Sequence, residues 1–168
     1  KWVERPKAES VNLLPDQPPG LINLHGRSVY NLWNGFGVDA IEGDWSTIEY
    51  HLKNVVCAKD LECFRYLEGW LANAVQRPHQ QGEVAIVMRG GRGTGKGTVG
   101  RMLARIFGQH YFYTASQNQV AGRFNSHLRD AVLLFADEAF FAGDKRHEGV
   151  LKAIITEDYH IRIAGSFK

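Results

Sequence analysis

The chain has 168 residues, 44% of them hydrophobic and 23% charged, which suits one domain with a modest appendage and supplies enough apolar material for a core. A net charge of +2 excludes the strongly basic and strongly acidic classes, so any nucleic-acid surface has to be argued locally. No apolar run approaches the roughly 18 residues of a membrane helix, and no secretory leader is visible.

Residues 1 to 26 contain Pro6, Pro15, Pro18 and Pro19, poor material for helix or strand, and read as a linker or extended arm. In SVYNLWNGFGVD, Val29, Tyr30, Leu32 and Trp33 lead into Asn34-Gly35, and Phe36 and Val38 follow. Asn-Gly between apolar stretches predicts a tight hairpin, with its aromatics used for packing. Residues 1–45 are therefore expected to form an irregular arm with a hairpin, and 46–80 a helical subdomain. Ser46 and Glu49 make a capping-box pattern, and Trp45 is placed to staple onto Tyr50. Asp60 caps a second helix with the apolar stripe Leu61, Phe64, Leu67, Leu71, Ala74 and Val75, and Arg77-Pro78 ends it. Cys57 and Cys63 lack metal-ligand spacing, Cys63 falls on that stripe, and both read as reduced residues of a cytosolic protein.

From residue 83 onward strands and helices alternate, which predicts an α/β core over 81–168 with a mainly parallel sheet. VAIVM is a wholly apolar strand, as expected where both faces are covered. Val99, Met102, Leu103, Ile106 and Phe107 share one helix face, closed by Gly108. YFYTA is a strand, Ser116 caps a helix carrying Val120, Phe124 and Leu128, and AVLLFA is a second fully apolar strand ending in Asp137-Glu138. A helix near 145 to 156 turns Val150, Leu151, Ile154 and Ile155 inward, and YHIRIA alternates Tyr159, Ile161 and Ile163 with His160 and Arg162. The chain opens at Lys1 and stops at AGSFK with no closing turn, which reads as an internal fragment of a longer protein.

Two stretches carry chemistry. In MRGGRGTGKGTVGRML, residues 88 to 103, a buried strand feeds a loop of Gly90, Gly91, Arg92, Gly93, Thr94 and Gly95, and a helix starts at once. Glycines let consecutive N–H groups turn into one concavity, the helix N-terminus adds partial positive charge, and Lys96 reaches for β- and γ-phosphates. The usual pattern places Ser or Thr after the lysine to hold Mg²⁺; here that position is Gly97, with Thr98 one residue on. In LLFADEA, Asp137 stands where a carboxylate holds Mg²⁺, usually through water, and Glu138 where one orients and deprotonates attacking water. Together these indicate an NTPase that hydrolyses its nucleotide with Mg²⁺, with Lys96 and Glu138 catalytic, Gly90 to Thr98 binding nucleotide, and Asp137 with Thr98 or alone serving the metal. His110, His127, His147 and His160 form no metal spacing.

GTGKGT also resembles the phosphate loop of nucleoside monophosphate kinases, although in that family the loop lies near the chain start and no Asp-Glu pair ends a strand. GTGKGT and LLFADEAFF together, within a resemblance running from YNLWNGFGVD to LKAIITED, are similar to the superfamily 3 helicase domain of phage and plasmid primase–helicases. In that branch glycine also occurs after the lysine. The resemblance makes the nucleotide ATP and implies an AAA+-like P-loop ATPase in the cytoplasm of a bacterial host, assembled as a homo-hexameric ring and pulling single-stranded DNA through its centre. It implies that Lys152 belongs to the next motif, that Tyr159 to Ala164 is the first arm of a hairpin projecting into the channel, and that Arg162 and Lys168 contact DNA phosphates. It places the asparagine-bearing sensor strand and the arginine finger beyond Lys168. The sheet is thus expected to be incomplete at its C-terminal end, lacking the strand between those bearing the phosphate loop and the acidic pair. A nucleotide-dependent DNA-binding or assembly module without unwinding fits the same residues, and no primase motif stands before residue 45.

Overall fold

Asn31 organises the first part of the chain. The computed structural model describes residues 7–91, 93–116, 119, 128–137, 149, 152, 155–156 and 162–167. The chain divides into two units, residues 1–35 and 36–168. In the first, β1 (Ser10–Asn12), β2 (Gly20–Leu24) and β3 (Arg27–Asn31) form a sheet in the order β1-β3-β2, with β3 parallel to β1 and antiparallel to β2. The Asn31 side chain, 1% exposed, donates to the carbonyls of Leu14, Gln17 and Pro18 and accepts from the amides of Leu14 and Trp33. That network satisfies the proline-bearing connection between β1 and β2, where a missing N–H costs nothing.

The expected irregular arm is thus a small sheet, and its hairpin is elsewhere. The reversal falls at His25-Gly26, with φ of 51° and 82°, between the paired residues Leu24 and Arg27. Positive φ at both central positions is the type I′ geometry whose twist matches the flanking strands. Asn23 Oδ1 accepts from the Gly26 amide at 2.9 Å. Asn34-Gly35 follows β3 and opens no second strand.

The second unit begins with helix. α1 (Ser46–Tyr50) runs into a π-helical turn, His51–Val56, in which the Cys57 amide reaches back five residues to the Leu52 carbonyl at 2.9 Å. The Ser46 capping box does not form. Instead the Ser46 amide and hydroxyl both donate to Asp44, at 2.8 and 3.0 Å, and these bonds, the amide's first, lower the Asp44 pKa. α2 (Leu61–Gln76) is capped by Asp60 as expected. It buries Phe64, Leu67, Trp70 and Ala74, a stripe turned toward Trp70, whose indole N–H donates to the Val84 carbonyl. Leu61 and Cys63 are consequently exposed.

β4 (Ile86–Arg89), β5 (Tyr111–Thr114), β6 (Leu133–Asp137) and β7 (Arg162–Phe167) form one sheet in the order β4-β7-β6-β5, every pair parallel. Leu133, Leu134, Phe135 and Ala136 of β6 are each no more than 1% exposed, as a strand buried on both faces requires. α3 (Lys96–Phe107) buries Val99, Leu103 and Phe107. It lies close because residue 100 is glycine: a Cβ there would stand 3.0 Å from the Phe135 ring. Gly108 ends it at a φ of 53°.

Two expectations about this sheet are corrected. The strand between those bearing the glycine loop and Asp137 is present: it is β7, bonded to β4 on one side and β6 on the other. Arg162 accordingly opens an interior strand of the sheet, paired with Leu133, and not the arm of a projecting hairpin. The alternation in YHIRIA is equally compatible with either placement, since period-two alternation specifies faces and not neighbours. In addition, β4 stands at the edge of the sheet and Val87 is 65% exposed, so VAIVM is not covered on both faces among the described residues. Arg92, Glu138, Lys168, the Ser116-capped helix with Val120 and Phe124, and most of the helix expected near 145 to 156 lie outside the described residues. No described helix is long and apolar enough to cross a membrane.

Candidate functional site

Parallel pairing in this order brings β4, β7 and β6 to a common C-terminal edge. Arg89, where the glycine loop departs, pairs with Phe167, and Asp137 pairs with Ser166. The loop and the Asp137 carboxylate therefore leave the sheet one strand apart, about 10 Å by ordinary strand spacing. Ligands of open parallel sheets bind outside this edge.

The loop is built by left-handed glycines. Gly93 and Gly95 have φ of 77° and 84°, conformations that a side chain rarely adopts. Gly95 is the N-cap of α3, and its carbonyl accepts from the Thr98 amide at 2.9 Å. With no side-chain cap at this end, the first amides of α3 and the positive end of its dipole serve the loop. The Lys96 ammonium folds back over it, donating to the carbonyls of Gly90 and Gly91 at 2.6 and 2.8 Å and to the Thr94 hydroxyl at 3.3 Å. Thr94 in turn donates to the Gly91 carbonyl. Gly90, Gly91, Gly93, Thr94, Gly95 and Lys96 are thus brought together in a cationic turn at the edge of the sheet.

The two candidate metal residues are in different surroundings. Asp137 is half-buried, and its Oδ2 accepts from the Tyr113 hydroxyl at 3.2 Å. Thr98 Oγ1 accepts from the Arg101 guanidinium at 2.9 Å, which sets a cation against that oxygen. Gly97 faces open space except for Arg101 Nη1, which would lie 3.5 Å from an added Cβ. One carboxylate with at most one hydroxyl is a donor set for Mg²⁺, which keeps several waters and takes one or two carboxylates together with phosphate oxygens. Among the described residues no cluster of three or more His, Cys, Asp or Glu forms an all-protein metal site. Lys152 is an exposed helical residue.

Three neighbours of these residues were not read from the sequence. They are Tyr113 on Asp137, Arg101 on Thr98, and His51, whose Nε2 lies 3.1 Å from the Gly95 carbonyl. Arg101 stands three residues after Thr98, a helical spacing that was available as a signal. The other two contacts join segments distant in sequence. Beside α3, a cavity of about 1030 Å³ is lined mainly by apolar atoms, with Trp45, Ile48, His51, Thr98, Met102 and Arg105 in its wall.

A family described as of unknown function, DUF5906, matches residues 88–168. In fold the chain is similar to the apo structure of the NrS-1 C-terminal region (305–718), with a TM-score of 0.77 at 19% identity over 94% of this chain. An A-form apo structure of the same region gives 0.75 at 19% over 93%, and another gives 0.73 at 18% over 93%. The chain spans 42%, 41% and 40% of those three chains. No curated protein matches.

Proposed function

We propose that this chain is the ATP-hydrolysing motor part of a phage or mobile-element replication protein, a superfamily 3 helicase domain acting on single-stranded DNA. The observation that carries the reading is the parallel order β4-β7-β6, which leaves the glycine loop and Asp137 at one edge on either side of a single strand. The loop amides and Lys96 bind the phosphates, and Asp137, with water, holds Mg²⁺ against them. The metal when bound neutralises charge on the transferred phosphoryl group. Glu138, the next residue in sequence, orients and deprotonates the attacking water. The cavity walled by Trp45, Ile48 and Met102 is of a size for the nucleoside. In this reading β7 fills the place of the sensor strand, and Ser166 is the polar residue it brings level with Asp137. DNA contacts fall to Lys152 and Lys168 in a homo-hexameric ring, and Arg162 drops out of that set because it opens a strand inside the sheet.

The test is ATP binding and hydrolysis by the full chain, with and without single-stranded DNA. Lys96→Ala is expected to lose both. Glu138→Gln is expected to keep binding and lose hydrolysis by more than about a hundredfold. Near-normal turnover in either variant rules the assignment out. Phosphoryl transfer to a nucleoside monophosphate, in place of hydrolysis, identifies a kinase, and binding without DNA-stimulated turnover identifies an assembly module.

A further inference from the structure

We infer that His51 is a positioning residue for the glycine loop, holding from outside the peptide that aims the Lys96 amide. The inference rests on the nucleotide-binding reading above and assigns a part of that site to the helical segment. Gly95 contributes only a carbonyl to the contact, so the His51 Nε2 at 3.1 Å carries the proton and donates. The ring also occupies the space beside Gly95: a Cβ there would fall onto Cε1 and lie 2.9 Å from Nε2. Gly95 is favoured by its φ of 84°, and a side chain there would displace the imidazole from the carbonyl.

The consequence follows from peptide geometry. The Gly95 carbonyl and the Lys96 N–H belong to one planar trans peptide and point in opposite directions. Two donors hold that carbonyl, His51 Nε2 and the Thr98 amide at 2.9 Å. With the oxygen fixed, the Lys96 N–H is fixed on the other side. It is one of the α3 amides that no intrahelical carbonyl satisfies. The Thr98 bond is made by any helix that starts here; the His51 bond is specific to this chain and comes from a different element. His51 is the first residue of the π-helical turn, and wide turns of this kind frequently mark functional positions.

The experiment measures MgATP affinity and turnover of the full chain for wild type, His51→Ala, His51→Gln and Lys96→Ala, with thermal unfolding of each. His51→Ala is expected to bind MgATP about tenfold more weakly, the worth of one specific hydrogen bond plus lost preorganisation, with turnover at saturation little changed. His51→Gln retains an N–H donor and is expected to recover most of the affinity, whereas a merely space-filling role predicts no such rescue. In wild type, the His51 ring nitrogen resonance is expected to shift when MgATP is added, a reading that needs no variant to fold. Wild-type affinity in a folded His51→Ala, a glutamine variant no better than alanine, or an unmoved ring resonance overturns the inference. If in the same series Lys96→Ala loses binding, the nucleotide site stands and only the role of His51 fails. Absence of MgATP binding in wild type removes both.

Discussion

The phenol of Tyr113 donates to Oδ2 of Asp137 at 3.2 Å from the neighbouring strand. Tyr113 pairs directly with Phe135 and stacks on its ring, with centroids 6.4 Å apart. Asp137 is two residues further along β6, on the same face, so the hydroxyl reaches it diagonally. The aromatic pair thus fixes the rotamer of the carboxylate proposed to serve Mg²⁺. Asp137→Asn is expected to abolish Mg²⁺-dependent ATP hydrolysis, and Tyr113→Phe to raise the Mg²⁺ concentration at half-activity roughly two- to tenfold, the worth of one hydrogen bond. Magnesium titrations of the two variants check this; an indifferent Tyr113→Phe shows that the carboxylate is oriented without the phenol.

Thr98 and Gly97 make opposite predictions for the same metal. Because Arg101 donates to Thr98 Oγ1 at 2.9 Å, that oxygen is already engaged by a cation. Thr98→Ala should therefore leave the magnesium requirement within about twofold of wild type, less than one net hydrogen bond. Gly97 has an ordinary helical φ and room for a side chain, with only Arg101 Nη1 nearby at 3.5 Å. Gly97→Ser should fold, stabilise α3 by about 0.5 kcal/mol through helix propensity, and lower the Mg²⁺ requirement. A large loss in Thr98→Ala would show that Thr98 is the metal's hydroxyl.

Gly100 sets how closely α3 approaches the sheet. An added Cβ stands 3.0, 3.1 and 3.2 Å from three atoms of the Phe135 ring. Gly100→Leu forces the helix outward or Phe135 off its rotamer, at a cost of about 1–3 kcal/mol. Urea unfolding is the measurement, and a midpoint at or above that of wild type contradicts the packing described.

His110 is fully buried and joins two strands. Its Nδ1–H donates to the Asp130 carbonyl at 2.7 Å, and its own carbonyl accepts from the Val132 amide at 2.8 Å. Its spacing to the other histidines suits no metal, and its role here is structural. His110→Ala removes the side-chain bond, strands a carbonyl and leaves a cavity, for about 2–4 kcal/mol. ATP affinity of the folded fraction should be unchanged, since His110 immediately precedes β5 and the loop lies at the opposite edge of the sheet.

Asp60 makes stability depend on pH. Its Oδ1 accepts from the amides of Glu62 and Cys63 at 2.9 and 3.0 Å. These bonds, the one to Cys63 first, hold its pKa below the usual 3.8. A lowered folded-state pKa means that the stabilisation is complete above the usual value and is lost as pH falls through the lowered one. Asp60→Ala should reduce Tm by a few degrees near neutral pH, and the gap from wild type should close in acid. A gap that is the same at both pH values would mean the carboxylate is not the cap.

Much of the site was legible because its determinants are local. The run Gly90 to Lys96 favours a turn with left-handed glycines, Asp60 two residues before the first amide that donates to it announces a cap, and the unbroken apolar run from Leu133 to Ala136 announces a buried strand, whereas the similar run VAIVM became an edge strand with Val87 exposed. Chain-local rules failed where a second solution existed nearby. Asn34-Gly35 carries the stronger turn signature, yet His25-Gly26 took the hairpin, because only there do both flanking segments find a register. The Ser46 hydroxyl does not cap α1 because the Asp44 carboxylate already engages both its amide and its hydroxyl.

By itself, the sequence determined the glycine turn that opens α3 and the acidic end of β6, since φ preferences, side-chain reach and burial period act over a few residues. Only the tertiary structure decided that Arg162 to Phe167 enters the sheet between β4 and β6, that Tyr113 meets Asp137, and that His51 meets Gly95. Those are pairings across distant segments. An alternating strand or a lone histidine carries no mark of its partner until the backbone hydrogen bonds of the whole sheet and the packing of α3 on it have been satisfied together.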